Sequence, residues 1–472
     1  MKIEQIYTGC LAQGAYYIES EGEAVVIDPL RETAPYIERV AEDKATLKYI
    51  FETHFHADFV SGHLDLAQKT GATIVFGPTA ETTFEKHTAV DGERFKVGKV
   101  TIEVLHTPGH TPESTCYLLY TEDGKPHALF SGDTLFIGDV GRPDLAQKAT
   151  GLTQEDLAGW LFDSLRNKIM TLPNEVIVYP AHGAGSACGK NMSKETSDTL
   201  GNQKKTNYAL RADMTRDEFI LEVTTGLMAP PQYFAKNAAL NKKGYESFDV
   251  IMERGARPLS PAAFEVAANE TGALILDVRE PEDFVKGFIP NAIFIGLEGS
   301  FAPWVGALIP DLKQEILIVA PLGREEETIK RLSRVGYDNA IGYLEGGMEN
   351  WIKSGKEVDA LETIDAPTFA ARHKEGKVSN VLDVRKPSEF YSEHIEEAQN
   401  LPLDFINQHM AEVKQEETYY LHCRSGYRST IAASILKSRG FDRLVNVRTN
   451  FENFAKEGLP VTAYVCPSTM PQ

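Results

Sequence analysis

The chain has no run approaching the ~18 consecutive apolar residues that a membrane span requires, so no membrane-spanning helix is expected. Its opening residues, MKIEQIYTGC, lack the basic start and apolar core of a secretory signal, which makes a reducing cytoplasm the expected compartment. Cysteine is scarce, with five residues among 472, at positions 10, 116, 188, 423 and 466. The number is odd and no pair has CxxC spacing, which argues against a disulfide framework and leaves each thiol to be read singly. Positive charge is also in deficit. The 48 Lys and Arg stand against 68 Asp and Glu, giving a net charge of −20. Neither nucleic acid nor an anionic membrane surface is therefore an expected partner.

What is present is organised into three parts, and the length suits about three domains. Residues 1–245 alternate short apolar runs with turn signals. AVVIDP, KYIFETH, ATIVFGP, VTIEVLHTPGH, ALFSGD and EVIVYPAHG each read as a buried strand ending in a polar loop. Residues 256–356 and 362–465 form a repeat. Aligning Asp277 with Asp383 needs no gap across LILDVREPEDF and NVLDVRKPSEF, and brings Arg279 onto Arg385 and Pro281 onto Pro387. Units of about a hundred residues are domains rather than solenoid repeats, whose periods are far shorter. The charged, glycine-bearing segments 241–249 and 353–361 are the expected linkers.

Chemistry-bearing residues cluster in the first part. THFHADF places His54, His56 and Asp58 at alternate positions after a strand. LHTPGH adds His106 and His110, SGD adds Asp133, and YPAHG adds His182. An HxHxD motif at a strand end, with further His and Asp loops after other strands, points to a metal site. Over residues 1–240 these motifs resemble the metallo-β-lactamase fold superfamily. Its two-metal hydrolases carry HxHxDH, whereas Phe59 stands at the last position here. HFHADF, HTPGHTPES, SGDTLFIGDVGRPDL and AHGAGSACGK are closer to the persulfide dioxygenases, and the three-part layout is similar to their fusions with rhodanese domains.

That resemblance implies an α/β multidomain protein, with an αββα sandwich followed by two rhodanese-like α/β domains. It implies one mononuclear Fe(II) held by His54, His110 and Asp133, a two-histidine, one-carboxylate set suited to O₂ chemistry. His56, which ligates in the hydrolases, would stand beside the ligands together with Asp58 and His182. The substrates would be a low-molecular-weight thiol persulfide and O₂, and the products sulfite and the thiol. The identity of the carrier thiol is left open. Arg142 either pairs with the carrier's carboxylate or is tied to Asp139 or Asp144. Cys188, in a small-residue loop six positions after His182, either handles sulfur or is a buried apolar thiol. Cys10 and Cys116 read as core, and Cys466 as exposed.

In the last part, YYLHCRSGYRSTIAASIL resembles the rhodanese family, whose strand delivers a nucleophilic cysteine to a loop that begins a helix. This assigns Cys423 as the sulfur carrier. Loop amides, Arg424 and Arg428 would favour its thiolate, and Ser425, Gly426 and Tyr427 would complete the cradle. Cys423 to Arg428 spans six residues, shorter than the related oxyanion loops of arsenate reductases and dual-specificity phosphatases, which favours sulfur as cargo. In the first copy the equivalent stretch is EILIVAPLGREEET. Pro321 or its neighbour stands in place of the cysteine, and Glu325, Glu326 and Glu327 follow, so this copy is expected to be inactive. The Gly-Gly turn of the first copy, YLEGGMENW, becomes NVRTNFENF in the second.

The expected function joins persulfide oxidation to sulfur transfer onto sulfite, giving thiosulfate in sulfide detoxification. The expected assembly is a homo-oligomer. A glyoxalase II-like thioester hydrolase fused to a sulfurtransferase is the enzyme alternative, opposed by Phe59. A non-catalytic sulfur-sensing or interaction role is the other, opposed by the intact Cys423 loop.

Overall fold

The six apolar runs of the first part all form strands, because each offers four to seven β-branched or aromatic-rich residues between turn signals. A computed structural model describes residues 1–147, 151–227 and 229–466. It divides into two units. The first comprises Met1–Phe248 with Ser333–Gly336, and the second holds the rest of the described chain.

The first unit contains two six-stranded sheets. One runs in the order Lys2–Thr8, Gln13–Ser20, Glu23–Ile27, Thr46–Glu52, Thr73–Phe76, His87–Thr88. The other runs Asp198–Thr199, Ile177–Pro180, Pro126–Gly132, Thr115–Tyr120, Val100–His106, Arg94–Val97. Strand periodicity assigns the layers. Tyr16, Ile18, Phe51 and Val75 of the first sheet meet Tyr117 and Phe130 of the second in a shared core. The alternate residues Ala15, Tyr17 and Val26 face outward onto Tyr36 and Leu66, from the helices Ala34–Glu42 and His63–Thr70. On the far side, Leu118 and Leu129 pack on Leu161 and Phe219, from the helices Gln154–Ser164 and Arg216–Thr224. The result is the expected αββα sandwich.

Two local expectations are corrected. Cys10 is half-buried rather than in the core, because its strand ends at Thr8 and residues 9–12 form the turn into Gln13–Ser20. The segment 241–249 is not a free linker. The helix Phe234–Lys243 carries Asn241 into the interior, and Phe248 begins the helix Phe248–Gly255.

The second unit contains two five-stranded sheets with the same order and all-parallel pairing. The first is Pro258–Leu259, Ala340–Leu344, Ile316–Val319, Leu274–Asp277, Ile293–Phe294. The second is Glu362–Ile364, Leu444–Val447, Tyr419–His422, Val381–Asp383, Ala398–Asn400. The repeated DVR motif is a structural fork. Arg279 Nη2 donates to Asp277 at 2.7 Å, and Arg385 Nη2 to Asp383 at 2.6 Å. The repeated proline opens a helix in each copy, Pro281–Lys286 and Pro387–Ser392, where a missing N–H costs nothing. Among the described residues no helix is long and apolar enough to cross a membrane.

Candidate functional site

In the first unit the predicted residues converge because the strands that carry them end on one side. His54 follows Thr46–Glu52, Asp133 follows Pro126–Gly132, and His182 follows Ile177–Pro180. His110 comes from the loop after Val100–His106. One donor atom each from His54, His110 and Asp133 lies within 4.8 Å of the others, and all three residues are buried. Asp133 Oδ2 is 3.8 Å from His54 Nε2 and 3.5 Å from His110 Nε2.

The rings are aimed by their other nitrogens. Thr53 Oγ1 donates to Asp28 at 2.9 Å, so it accepts from His54 Nδ1 at 3.0 Å. The carbonyl of Arg142 accepts from His110 Nδ1 at 2.8 Å. Each Nε2 lone pair is thereby left facing Asp133. Asp133 Oδ2 itself is buried with no hydrogen-bond donor. Such an atom is costly to leave unsatisfied, and a cation between the three groups would satisfy it. The residues therefore fit a metal ion with two imidazole ligands and one carboxylate.

Around this cradle the other predicted residues take distinct places. His56 turns its Nε2 to Asp28 Oδ1, 3.0 Å away, and stacks on the buried ring of Phe59 at 4.3 Å. His182 lies between two carboxylates, 2.7 Å from Asp133 Oδ1 and 2.8 Å from Asp58 Oδ2. Burial opposes its charge, but these carboxylates outweigh burial and raise its pKa well above the ordinary value. His56, Asp58 and His182 themselves bring donor atoms within 4.8 Å of one another. His106, in contrast, is turned away onto the carbonyl of Pro112.

Arg142 is buried and committed to Asp144 through two bonds of 2.6 and 2.7 Å, the second of the two arrangements open from sequence. Its backbone N–H bonds the carbonyl of Cys188 at 3.0 Å, which ties the two loops together. Cys188 is buried, and its sulfur is within 4.8 Å of donor atoms of Asp133 and His182. Burial, with Asp58 and Asp133 nearby, pushes its thiol pKa well up.

Two contributors were missed in the sequence. Asn241 accepts from Ser61 N at 2.9 Å and donates to the carbonyls of His56 and Phe59, both at 2.8 Å. Asp28 accepts from Thr53 N at 2.8 Å and from the Thr53 hydroxyl. Neither lies in a motif. The only signal for Asp28 was a carboxylate ending a buried strand.

In the second unit, Tyr419–His422 delivers Cys423 to the start of a loop, and the helix Tyr427–Ser438 leaves it. Cys423 is buried, and its sulfur accepts from Gly426 N at 3.1 Å. The Ser429 hydroxyl lies 3.7 Å from the same sulfur. Arg428 forms a fork with Glu389 at 2.6 and 2.8 Å, while Arg424 and Ser425 are exposed. In the other copy, the pairing of Val319 with Asp277 matches that of His422 with Asp383, so Ala320 stands where Cys423 does. The acid run there is partly neutralised, since Arg324 pairs with Glu327 and Glu298.

Comparison with known proteins agrees with this division. Residues 8–182 match the metallo-beta-lactamase superfamily, and residues 260–354 and 365–457 each match the rhodanese-like domain. The chain is 34% identical over 163 residues to the persulfide dioxygenase ETHE1, mitochondrial, of Homo sapiens, covering 34% of this chain and 59% of that protein. It is 35% identical over 171 residues to a hydroxyacylglutathione hydrolase of Tolumonas auensis, covering 35% of this chain and 60% of that protein. The chain thus spans about 60% of the length of the curated relatives it matches. A solved metallo-beta-lactamase from Staphylococcus aureus superposes with a TM-score of 0.63 at 32% identity, covering 73% of this chain and 98% of that one. The chain belongs to the metallo-β-lactamase superfamily and carries two rhodanese-like domains after that fold.

Proposed function

We propose that this chain oxidises a low-molecular-weight thiol persulfide at the His54–His110–Asp133 cradle and transfers sulfane sulfur to sulfite at Cys423. The observation that carries the first half is Phe59. It fills, with a buried ring, the position where a two-metal hydrolase needs an imidazole, so one ligand set is complete and the other is short of a donor. Fe(II), when held by His54, His110 and Asp133, supplies the binding and reduction of O₂. The net reaction is R–S–S⁻ + O₂ + H₂O → R–SH + SO₃²⁻ + H⁺. It oxidises the terminal sulfur, reduces O₂, and breaks the S–S bond.

The protein's own part is positional. Thr53 and the Arg142 carbonyl fix the two imidazoles. His182 lies within hydrogen-bond reach of both Asp133 and Asp58 and keeps Asp133 in one orientation. Cys188 lines the same space, with its sulfur near Asp133 and His182 and its pKa pushed up by burial. Arg142 keeps Nε and Nη2 on Asp144, so a carrier carboxylate would be met through its remaining N–H groups.

At the second site the Cys423 thiolate attacks a sulfane sulfur and releases the donor's thiolate. The resulting Cys–S–S⁻ passes its terminal sulfur to SO₃²⁻, regenerating Cys–S⁻ and forming S₂O₃²⁻. The Gly426 amide faces Cys423 Sγ, the sulfur that carries the charge in the thiolate before attack and after transfer.

The hydrolase relatives and the His56–Asp58–His182 cluster favour a second reading, thioester hydrolysis with two metals. Iron-loaded protein assayed with several thiol persulfides separates the two. Oxygen uptake with stoichiometric sulfite is expected. No uptake with any persulfide, together with turnover of acyl-glutathione, would establish the hydrolase. A Cys423→Ser variant should release sulfite and form little thiosulfate, and unchanged thiosulfate would remove Cys423 from the transfer step.

A further inference from the structure

The armed copy lacks the Gly-Gly turn, and the disarmed copy lacks a task. The geometry of the loop connects these two facts. In the disarmed copy Gly346 and Gly347 follow the strand Ala340–Leu344. In the armed copy Arg448 follows Leu444–Val447, and its side chain lies over the cysteine loop. A Cβ on Gly426 would sit 2.9 Å from Arg448 Cγ and 3.1 Å from Arg448 Nε. The far end of that guanidinium pairs with Glu282, in the helix Pro281–Lys286 of the disarmed copy.

The next residue is anchored in the same way. The Tyr427 hydroxyl donates to the carbonyl of Gly296, again in the disarmed copy, at 2.8 Å. Its ring meets Phe294 edge-on at a centroid distance of 5.9 Å. Between these two anchors sits Gly426, at φ +99°, with its N–H on Cys423 Sγ at 3.1 Å. Arg428, by contrast, is held within its own copy by Glu389.

We infer that the disarmed copy positions the sulfur-carrying loop of the armed one, with Glu282 acting through Arg448 and Gly296 through Tyr427 to keep the Gly426 amide on the cysteine sulfur. The inference rests on the reading of Cys423 as sulfur carrier. An amide held in place stabilises charge on the sulfur without reorganising as the persulfide forms and leaves, which is the way fixed backbone donors act on developing anions. Arg448, which stands where the disarmed copy has Glu345 just before its Gly-Gly turn, is then a connector between the copies. Glu282, Arg448 and Tyr427 are positioning residues for the transfer step.

The test uses the full chain, with thiosulfate formation from a thiol persulfide and sulfite as the rate. Cys423 persulfide is quantified in parallel by mass spectrometry. Glu282→Arg sets two guanidinium groups against each other and is expected to lower kcat about fivefold, with the KM for sulfite little changed, on the scale of one partly exposed ion pair. Adding Arg448→Glu reverses the pair and should restore kcat to within about twofold. Tyr427→Phe should lower kcat about fivefold on its own, the scale of one hydrogen bond. Wild-type kcat in Glu282→Arg, or a loss that Arg448→Glu does not rescue, overturns the inference. So does a loss that appears only as a higher KM. Wild-type protein that carries no more sulfur than Cys423→Ser would overturn the carrier reading and the inference together, and that result is distinct from the other three.

Discussion

A single side-chain amide, Asn241, holds the loop that carries His54 and His56. It satisfies one N–H and two carbonyls, of Ser61, His56 and Phe59, in the buried turn that aims His54 and His56. Asn241→Leu keeps the volume and removes all three bonds. Each orphaned buried group costs about 1–3 kcal/mol, so the first unit should unfold at a distinctly lower denaturant concentration. Retained iron should fall by about tenfold or more, as when outer partners of metal ligands are lost. Wild-type iron retention in that variant would show that the loop holds its own shape. The sequence made His54, His110 and Asp133 legible because each stands in a compact motif at a strand end. It could not reveal Asn241, 180 residues downstream of Ser61 in a charged stretch with the composition of a linker. For Arg142 the sequence left open a carrier carboxylate, Asp139 or Asp144, and the pairing with Asp144 needed coordinates.

The strands and the turns between them set how closely the ligands approach. Gly141 is a tight point beside the ligands, since a Cβ there would lie 2.0 Å from the Asp133 carbonyl oxygen and 2.9 Å from His110 Nδ1. Gly141→Ala must move one ligand or the other. It should strip the metal and abolish the proposed O₂ uptake while leaving sulfur transfer from thiosulfate to cyanide unchanged, because the proposed carrier Cys423 lies in the second unit. Metal analysis beside the two assays checks this, and full iron content would refute it. The strands themselves were legible from runs such as AVVIDP and KYIFETH. The gapless alignment of Asp277 with Asp383 likewise foretold that the two copies share a plan. Strand order was not legible, since parallel neighbours are joined through helices and Leu274–Asp277 lies beside Ile316–Val319 across 38 intervening residues.

Across the whole molecule, the large acid excess makes the response to low pH informative, and the fork aspartates of the two copies should respond with opposite sign. Burial raises Glu389, but Arg428 overrides it and the net shift is down from 4.5. Asp383 is likewise lowered, because His422 and the Arg385 fork outweigh burial. Both contribute stability that is present above the unfolded pKa values, near pH 4–4.5, and is lost as pH falls through the lower folded values. In the disarmed copy Val319 replaces His422, and burial leaves Asp277 raised despite Arg279. A raised carboxyl favours the folded state more as it takes up its proton. Acidification from pH 5 to 3 should therefore expose Tyr419–His422 to hydrogen exchange before Ile316–Val319, and the reverse order would refute the assignment.

The Asp277–Arg279 fork and the strand ending at Val319 survive intact beneath Ala320. The lesion in the disarmed copy is therefore confined to a loop, where Pro321 removes an amide and Arg324 is tied down by Glu327 and Glu298. Its foundation still matches that of its twin. Transplanting residues 423–428 onto 320–325 would restore a cysteine loop on that foundation, but not the anchor that Arg448 makes on the other copy. The copy without a cysteine is, in this sense, a vacant mounting in register with its twin.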